Sequence, residues 1–120
     1  MLKIVVGGQI DKPEIAELVR VCGGDAIEVS VQSDLDAAMS LQAGSVDYYI
    51  GACNTGGGGA LAMAMALVGH DFCATLSMPG NIKSEAEIRG EIQAGKKAFG
   101  FTAQDKEQII PIVISELLKK

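Results

Sequence analysis

The segment VDYYIGACNTGGGGALAMAMALVG, from Val46 to Gly69, contains the pattern that determines the fold class of this chain. It begins with aromatic and β-branched residues typical of a strand, and continues through a polar turn and four glycines. It ends in nine uninterrupted apolar residues, Ala60 to Val68, which are too few to cross a bilayer. The segment therefore predicts a strand, a glycine-rich turn and a packed helix.

The same alternation of short strands and helices extends over the whole 120-residue chain. The predicted strands cover residues 3–6, 26–31, 47–50, 72–76 and 97–101. Strands that alternate with helices favour a parallel sheet with right-handed crossovers. We expect one domain over residues 1–120, a doubly wound three-layer α/β/α sandwich around a five-stranded parallel sheet. This class is Rossmann-like and flavodoxin-like, and we expect the strand order 2-1-3-4-5.

Capping residues predict where the helices begin and end. Three pairs are predicted to start helices through a side-chain oxygen that accepts first-turn amides: Asp11 with Glu14, Ser33 with Asp36, and Ser84 with Glu87. Gly44 and Gly95 are expected to follow two of these helices. The last helix, residues 104–118, contains Pro111, which removes one backbone hydrogen bond, so we expect a kink or break just before it.

Composition excludes several classes of partner. Ten basic and fifteen acidic residues give a formal net charge of −5, and only 4% of the residues are aromatic. This balance argues against nucleic acid and anionic membranes as partners. Three cysteines without a CxxC spacing and a single histidine indicate neither a disulfide framework nor a metal site. We therefore expect a soluble cytoplasmic protein that uses no metal or organic cofactor.

The glycine run follows the third predicted strand, at the edge of the sheet where ligands of open α/β proteins bind. Glycines let backbone amides point into a concave loop, and the start of a helix adds partial positive charge. Phosphate and carboxylate groups bind to such amides. We predict an anion site formed by Asn54, Thr55, Gly56, Gly57, Gly58, Gly59, Gln9 and Lys83. The alternative is that the glycines only permit close packing of strand and helix.

Cys53 is the one cysteine expected at this edge. Neighbouring amides and a helix start would favour its thiolate form, which suits acid–base or nucleophilic chemistry. The alternative is a small buried apolar side chain. Asp11 is a second candidate base, although helix capping already accounts for it. His70 is expected at the opposite edge, so a Cys–His pair cannot form around Cys53 within one chain.

The predicted helix over residues 60–68 contains no polar position, whereas the outer helices of a monomer normally have a polar face. If Leu61, Met65 and Val68 face the sheet, the outward residues are Ala62, Met63 and Ala66. We expect this helix to be a contact of a homo-oligomer, with a twofold dimer as the default symmetry. The alternative is that neighbouring helices cover it.

Over its full length the sequence resembles the YhfU-like family of small bacterial proteins, which has no established activity. The resemblance depends on DLDAAMSLQAGSVDYYIGACNTGGGGALAMAMALVG at residues 34–69, KKAFGF at 96–101 and IIPIVI at 109–114. It implies a shared fold and a shared glycine-rich loop, and it assigns no catalytic residue.

A second resemblance is local. The segment VDYYIGACNTGGGGALAMA is similar to the central loop of ribose-5-phosphate isomerase B and the galactose-6-phosphate isomerase subunits. This resemblance implies Cys53 as the base that moves a proton between sugar carbons, with an anion cradle of Thr55, Gly56 and Gly58. The chain departs from that family after the first strand, where Gly8-Gln9 replaces an Asp-His pair, and it lacks the ring-opening histidine and phosphate-binding arginines.

Two functions follow as expectations. The first is binding of a small anionic metabolite, a phosphosugar or carboxylate, at the glycine-rich loop, with isomerase-type proton transfer by Cys53. The second is a non-catalytic oligomeric or regulatory subunit, in which the glycine loop and the apolar helix are packing surfaces.

Overall fold

A computed structural model of the chain describes residues 1–54 and 57–120. The strands and helices alternate along the chain as follows: β1 Leu2–Gly8, α1 Lys12–Gly23, β2 Ile27–Val31, α2 Asp34–Ala43, β3 Tyr48–Cys53, α3 Gly57–Ala60, α4 Ala62–Val68, β4 Cys73–Thr75, β5 Ser77–Met78, β6 Asn81–Ile82, α5 Glu85–Gln93, β7 Ala98–Thr102 and α6 Lys106–Leu117. No helix in the described part of the chain is long and apolar enough to cross a membrane.

Five strands form a parallel sheet in the order β2-β1-β3-β7-β4, while β5 and β6 form a separate antiparallel hairpin. The three-layer Rossmann-like class is confirmed. Counted over the five sheet strands, the order is 2-1-3-5-4, so the predicted order 2-1-3-4-5 is wrong in its last two places. The connection after β3 skips one strand position, so that β4 lies at the edge of the sheet. Strand β7 then occupies the skipped position between β3 and β4.

The two faces of the sheet carry separate cores. On one face, α1, α5 and α6 pack on side chains such as Ile50 and Phe99; on the other, α2 and α4 pack on Val5 and Tyr49. The connection from β3 to β4 and the connection from β4 to β7 run in opposite directions across the sheet. Both can be right-handed only if their helices lie on opposite faces. Helix α5, which connects β4 to β7, lies on the face opposite α4, because its Ile88 belongs to the first core. The reversed strand order is therefore compatible with the handedness rule.

Two of the three predicted caps are confirmed. The Ser33 side chain accepts the Asp36 N–H, and Ser84 and Glu87 form a complete capping box. The prediction for Asp11 is wrong, because its side chain makes no capping hydrogen bond. Its backbone is left-handed, with φ of 57°, and its carboxylate instead lies 3.2 Å from the Lys106 ammonium.

Helix α6 continues without interruption through Pro111, so of the predicted kink or break before this residue the break is wrong. Proline in a helix interior costs about 3 kcal/mol. The helix packs against α1 and α5 through a row of buried side chains: Ile109, Ile110, Val113, Ile114 and Leu117. Burial of each such side chain contributes about 1.5–3 kcal/mol, which outweighs the cost of one proline.

The apolar segment after β3 forms two short helices rather than one. Gly57–Ala60 forms α3, and Leu61, with φ of −106° and ψ of 0°, separates it from α4. Three of the predicted anion-site glycines are therefore helical, at positions 57 to 59. The outward direction predicted for Ala62, Met63 and Ala66 is confirmed, because all three are exposed.

Candidate functional site

The connections that follow β3 and its two neighbouring strands leave toward opposite faces of the sheet. The neighbours β1 and β7 are followed by α1 and α6, which pack on one face of the sheet. Strand β3 itself is followed by α3, which lies over β3 and β7 on the other face. Ligands of open α/β sheets bind where adjacent connections diverge in this way. The sequence predicted a ligand crevice between β1 and β3; in the observed strand order the connections also diverge between β3 and β7.

The hydroxyl of Tyr49 joins the segments that form this edge. The phenol is completely buried. Its oxygen accepts the Gly8 N–H at 2.9 Å and lies 2.5 Å from Asp34 Oδ1 and 2.7 Å from the Ala60 carbonyl oxygen. Its single proton is shared between the last two acceptors. One hydroxyl therefore connects the end of β1, the start of α2 and the end of α3.

Glycines on both sides of the phenol make room for it. A Cβ atom on Gly7 would lie 2.6 Å from Tyr49 Cε2 and 2.8 Å from the Ala37 methyl group. A Cβ atom on Gly51 would lie 3.0 Å from the Tyr49 hydroxyl. Larger residues would displace the ring, because these distances are shorter than van der Waals contact. The glycines of the first and third strands thus determine where the hydroxyl lies.

The environment of Tyr49 favours its neutral form. Burial raises the pKa of the phenol, and the hydrogen bond and negative charge of Asp34 raise it further. The sequence pattern indicated no role for Tyr49 or Asp34. The pattern that could have indicated one is the pair of small residues, Gly7 and Gly51, on adjacent strands beside an aromatic residue. Neither residue type alone predicts the contact.

Three polar side chains lie in a row across the carboxyl ends of neighbouring strands. Cys53 pairs in register with Thr102, and the Ser77 hydroxyl accepts the Thr102 N–H at 2.9 Å. All three residues are buried, with exposures of 0% for Cys53, 3% for Thr102 and 2% for Ser77. The Thr102 hydroxyl has no hydrogen-bond partner among the residues that the structure describes. Thr102 and Ser77 were not predicted as site residues.

The predicted anion-site residues near β3 are partly brought together. Gln9 is exposed, and its Nε2 donates to the Gly59 carbonyl at 3.5 Å, so the loops after β1 and β3 meet. Asn54 is exposed at the end of β3. Thr55 and Gly56 lie outside the described residues. Gly57 and Gly58 begin α3, which approaches the sheet closely, as the packing alternative for the glycine run expects.

Lys83 lies apart from this group. It borders a cavity of about 260 Å³ beside β4, whose lining also includes Ser77. Two other lysines of this edge have partners: Lys106 pairs with Asp11, and the Lys12 ammonium donates to the Gln32 carbonyl at 2.9 Å. The hydrogen bond and charge of Asp11 raise the pKa of Lys106.

The remaining candidates fall elsewhere. His70 is exposed at the opposite edge, as predicted from the sequence. Cys73 belongs to the core beneath α2 and α4, whereas Cys22 packs at partial exposure against the other core, beneath α1, α5 and α6. Across residues 1–54 and 57–120, no cluster of histidine, cysteine and acidic side chains is suited to hold a metal ion.

The fold and the carboxyl-edge site define a Rossmann-like α/β protein. A family of proteins of unknown function, DUF2620, matches residues 2–117, and the chain belongs to this family. It is 38% identical over 117 residues to the "Uncharacterized protein YhfU" of Escherichia coli K12, covering 98% of this chain and 99% of the relative. The YhfU proteins of Escherichia coli O6:H1 and Shigella flexneri match with the same identity and coverage. The resemblance to the bacterial YhfU-like family is thus confirmed. No solved structure matches the chain.

Replacing Tyr49 with phenylalanine tests the role of the hydroxyl. Tyr49→Phe should lower the free energy of unfolding by about 2–4 kcal/mol, because it leaves the buried Gly8 N–H, the buried Ala60 carbonyl and the half-buried Asp34 carboxylate without their partner. Tyr48→Phe is the matched control, since this half-buried ring stacks on Phe99 and its hydroxyl makes no hydrogen bond with a described residue. Urea unfolding measures both. Equal stability of the two variants would contradict the assigned role.

Proposed function

We propose that this protein binds a small anionic metabolite, carrying a phosphate or carboxylate group, at the carboxyl edge between β3 and β7. The observation that supports this most directly is the buried Thr102 hydroxyl, which has no partner among the described residues and lies level with Cys53. The odd number of cysteines favours a reducing, cytoplasmic setting for such a ligand.

A buried hydroxyl without a partner is costly, at about 1–3 kcal/mol, and few such groups remain in native proteins. Thr102 cannot recover this cost from the sheet, because its hydroxyl faces away from the strand-pairing direction while its N–H is already bonded to Ser77. A ligand that hydrogen-bonds to the hydroxyl would recover it. The unpaired Thr102 hydroxyl therefore supports ligand binding at the carboxyl edge between β3 and β7.

The remaining residues of the proposed site surround the same strand end. Gln9 and Asn54 are exposed there, and we propose that they bind the ligand together with Thr55 and the glycines from 56 to 59. Backbone amides in glycine-rich turns are suited to anions because no side chain obstructs their approach. Amide groups also discriminate little between phosphate and carboxylate, so the proposal covers both.

We propose Cys53 as the group that performs chemistry if the ligand is a hydroxy-carbonyl compound. In its thiolate form it would take the proton from the hydroxyl-bearing carbon and return it to the former carbonyl carbon, while the hydroxyl proton moves to the former carbonyl oxygen. The intermediate enediolate would carry negative charge, which the surrounding amide and hydroxyl donors would stabilise. The step is an isomerisation and consumes no oxidant, reductant or co-substrate.

Thermal-shift measurements with a panel of phosphosugars and small carboxylates test the binding proposal. A ligand present at about 100 times its Kd should stabilise the wild type by about 2.7 kcal/mol. Thr102→Val should weaken binding about tenfold, because the hydroxyl is lost, whereas the matched Thr102→Ser should retain it. Cys53→Ser should bind the same compound but abolish any interconversion detected by NMR.

The proposal is contradicted if no compound of the panel stabilises the wild type, or if Thr102→Val binds as tightly as Thr102→Ser. Interconversion by Cys53→Ser would contradict the role of Cys53 as the base, whereas the proposal for ligand binding would stand.

A second candidate function is that of a homo-oligomeric structural or regulatory subunit. The helices α2 and α4 pack side by side and expose large apolar residues on their outer surface. Leu35 and Met39 on α2 are each 49% exposed, and Met63 on α4 is 40% exposed. Contiguous exposed apolar residues often mark a protein contact, and a twofold dimer is the commonest arrangement.

Light scattering coupled to size exclusion tests this second candidate. The wild type should elute as a dimer, and Met63→Glu should elute as a folded monomer because the contact would then bury an unpaired carboxylate. Val21→Glu is the matched control, since Val21 is 72% exposed on the opposite face of the molecule and should leave the dimer unchanged. A monomeric wild type would exclude the homo-oligomeric subunit.

A further inference from the structure

We infer that the cavity beside β4 is an anion subsite, in which Lys83 binds the terminal phosphate or carboxylate group of the ligand. The inference rests on the proposed function and extends it, since it adds a cationic subsite outside the glycine-rich loop. The cavity has a volume of about 260 Å³ and is lined by Thr75, Leu76, Ser77, Met78, Asn81 and Lys83.

The hairpin of β5 and β6 supplies much of the lining of this cavity, and Lys83 directly follows the hairpin. Strands β5 and β6 pair Ser77 with Ile82 and Met78 with Asn81. Gly80, with φ of 74°, permits the tight turn between them. The Lys83 N–H then donates to the Leu76 carbonyl at 3.0 Å, which anchors the lysine backbone beside the end of β4. The position of the ammonium therefore depends on a short, hydrogen-bonded hairpin.

The charge distribution around the cavity suits an anion. Lys83 is the one charged residue in its described lining, and it forms no ion pair with a described carboxylate. On the next helix, the hydrogen bonds of Ser84 and the charge of Lys83 lower the pKa of Glu87, whose carboxylate accepts the Ser84 N–H at 2.9 Å within the capping box. That bond keeps Glu87 at the helix start, so the Lys83 charge can bind a ligand.

Hydroxyl groups supply donors beside this cation. Ser77 accepts the Thr102 N–H through Oγ, so its own O–H can donate to a further group in the cavity it lines. Thr75 contributes a second hydroxyl to the lining. An ammonium forms charge-assisted hydrogen bonds to phosphate and carboxylate oxygens, and hydroxyl donors can add to them. The polar part of the lining therefore suits an oxyanion, while Leu76 and Met78 form its apolar part.

Ser77 links the cavity to the proposed site at the end of β3, because it lines the cavity and its hydroxyl accepts the Thr102 N–H at 2.9 Å. Thr102 in turn pairs in register with Cys53, across one strand spacing of about 4.8 Å. A ligand that reaches both places needs a hydroxylated body beside Cys53 and Thr102 and an anionic group at one end. This defines the ligand class as small hydroxylated compounds with a terminal phosphate or carboxylate.

NMR titration of the full chain with inorganic phosphate, and separately with acetate, tests the inference at constant ionic strength. Phosphate should shift the backbone amides of residues 75–83, and Lys83→Met should weaken this binding about tenfold, because one charge-assisted hydrogen bond is lost. Lys3→Met is the matched control for net charge, since Lys3 is exposed at the opposite end of the sheet, and it should bind like the wild type. The acetate titration distinguishes a phosphate site from a carboxylate site.

The outcomes separate this inference from the proposed function. Shifts confined to residues 53–59, unchanged in Lys83→Met, would overturn the Lys83 subsite and leave the proposed crevice standing. Equal binding by Lys83→Met and the wild type would overturn the subsite even if residues 75–83 shift. Failure of both anions to shift either segment would overturn both proposals.

Discussion

The hydrogen bonds of the Tyr49 hydroxyl are the interaction on which the carboxyl edge depends. A phenol buried beneath the end of β1 binds a backbone N–H from one segment, a carboxylate from a second and a carbonyl from a third. These segments are loops and helix ends, which elsewhere in a protein are the first parts to open. Their arrangement is fixed here by one side chain, and Gly7 on the neighbouring strand β1 and Gly51 on β3 itself leave room for its ring.

Strand order then determines which polar groups lie next to Cys53. Because β7 is inserted between β3 and β4, the neighbour of Cys53 is Thr102, and Ser77 lies one strand farther. In the order expected from the sequence, β4 would have occupied the position of β7. The observed order therefore brings a buried hydroxyl beside the cysteine and places the Lys83 cavity at the outer end of the same row.

Local patterns predicted the elements well, since their causes are local. Ser84 and Glu87 cap α5 because both groups lie within one turn, and the alternation of apolar runs determines where strands form. The order of strands depends on long-range packing, which periodicity does not encode. Asp11 illustrates the same limit, because its partner Lys106 is 95 residues away.

The candidate site was predictable only where one segment carries it. The glycine run and Cys53 occur together in the sequence, so their location at the end of β3 followed from the fold class. The contributions of Thr102 and Ser77 depend on strand pairing, and that of Tyr49 depends on three separate segments. Lys83 was predicted as a ligand residue, but its separation from the glycine loop required the hairpin geometry.

Alkaline titration of the two tyrosines tests the central role of Tyr49 most directly. Its folded pKa is raised by burial and by Asp34, so stability is full below the ordinary phenol pKa of about 10 and falls as pH rises above it. Ultraviolet absorbance should show the partly exposed Tyr48 ionising reversibly in the folded protein, and Tyr49 ionising only together with the loss of circular dichroism. Reversible ionisation of both phenols in a protein that keeps its native circular dichroism would contradict this account.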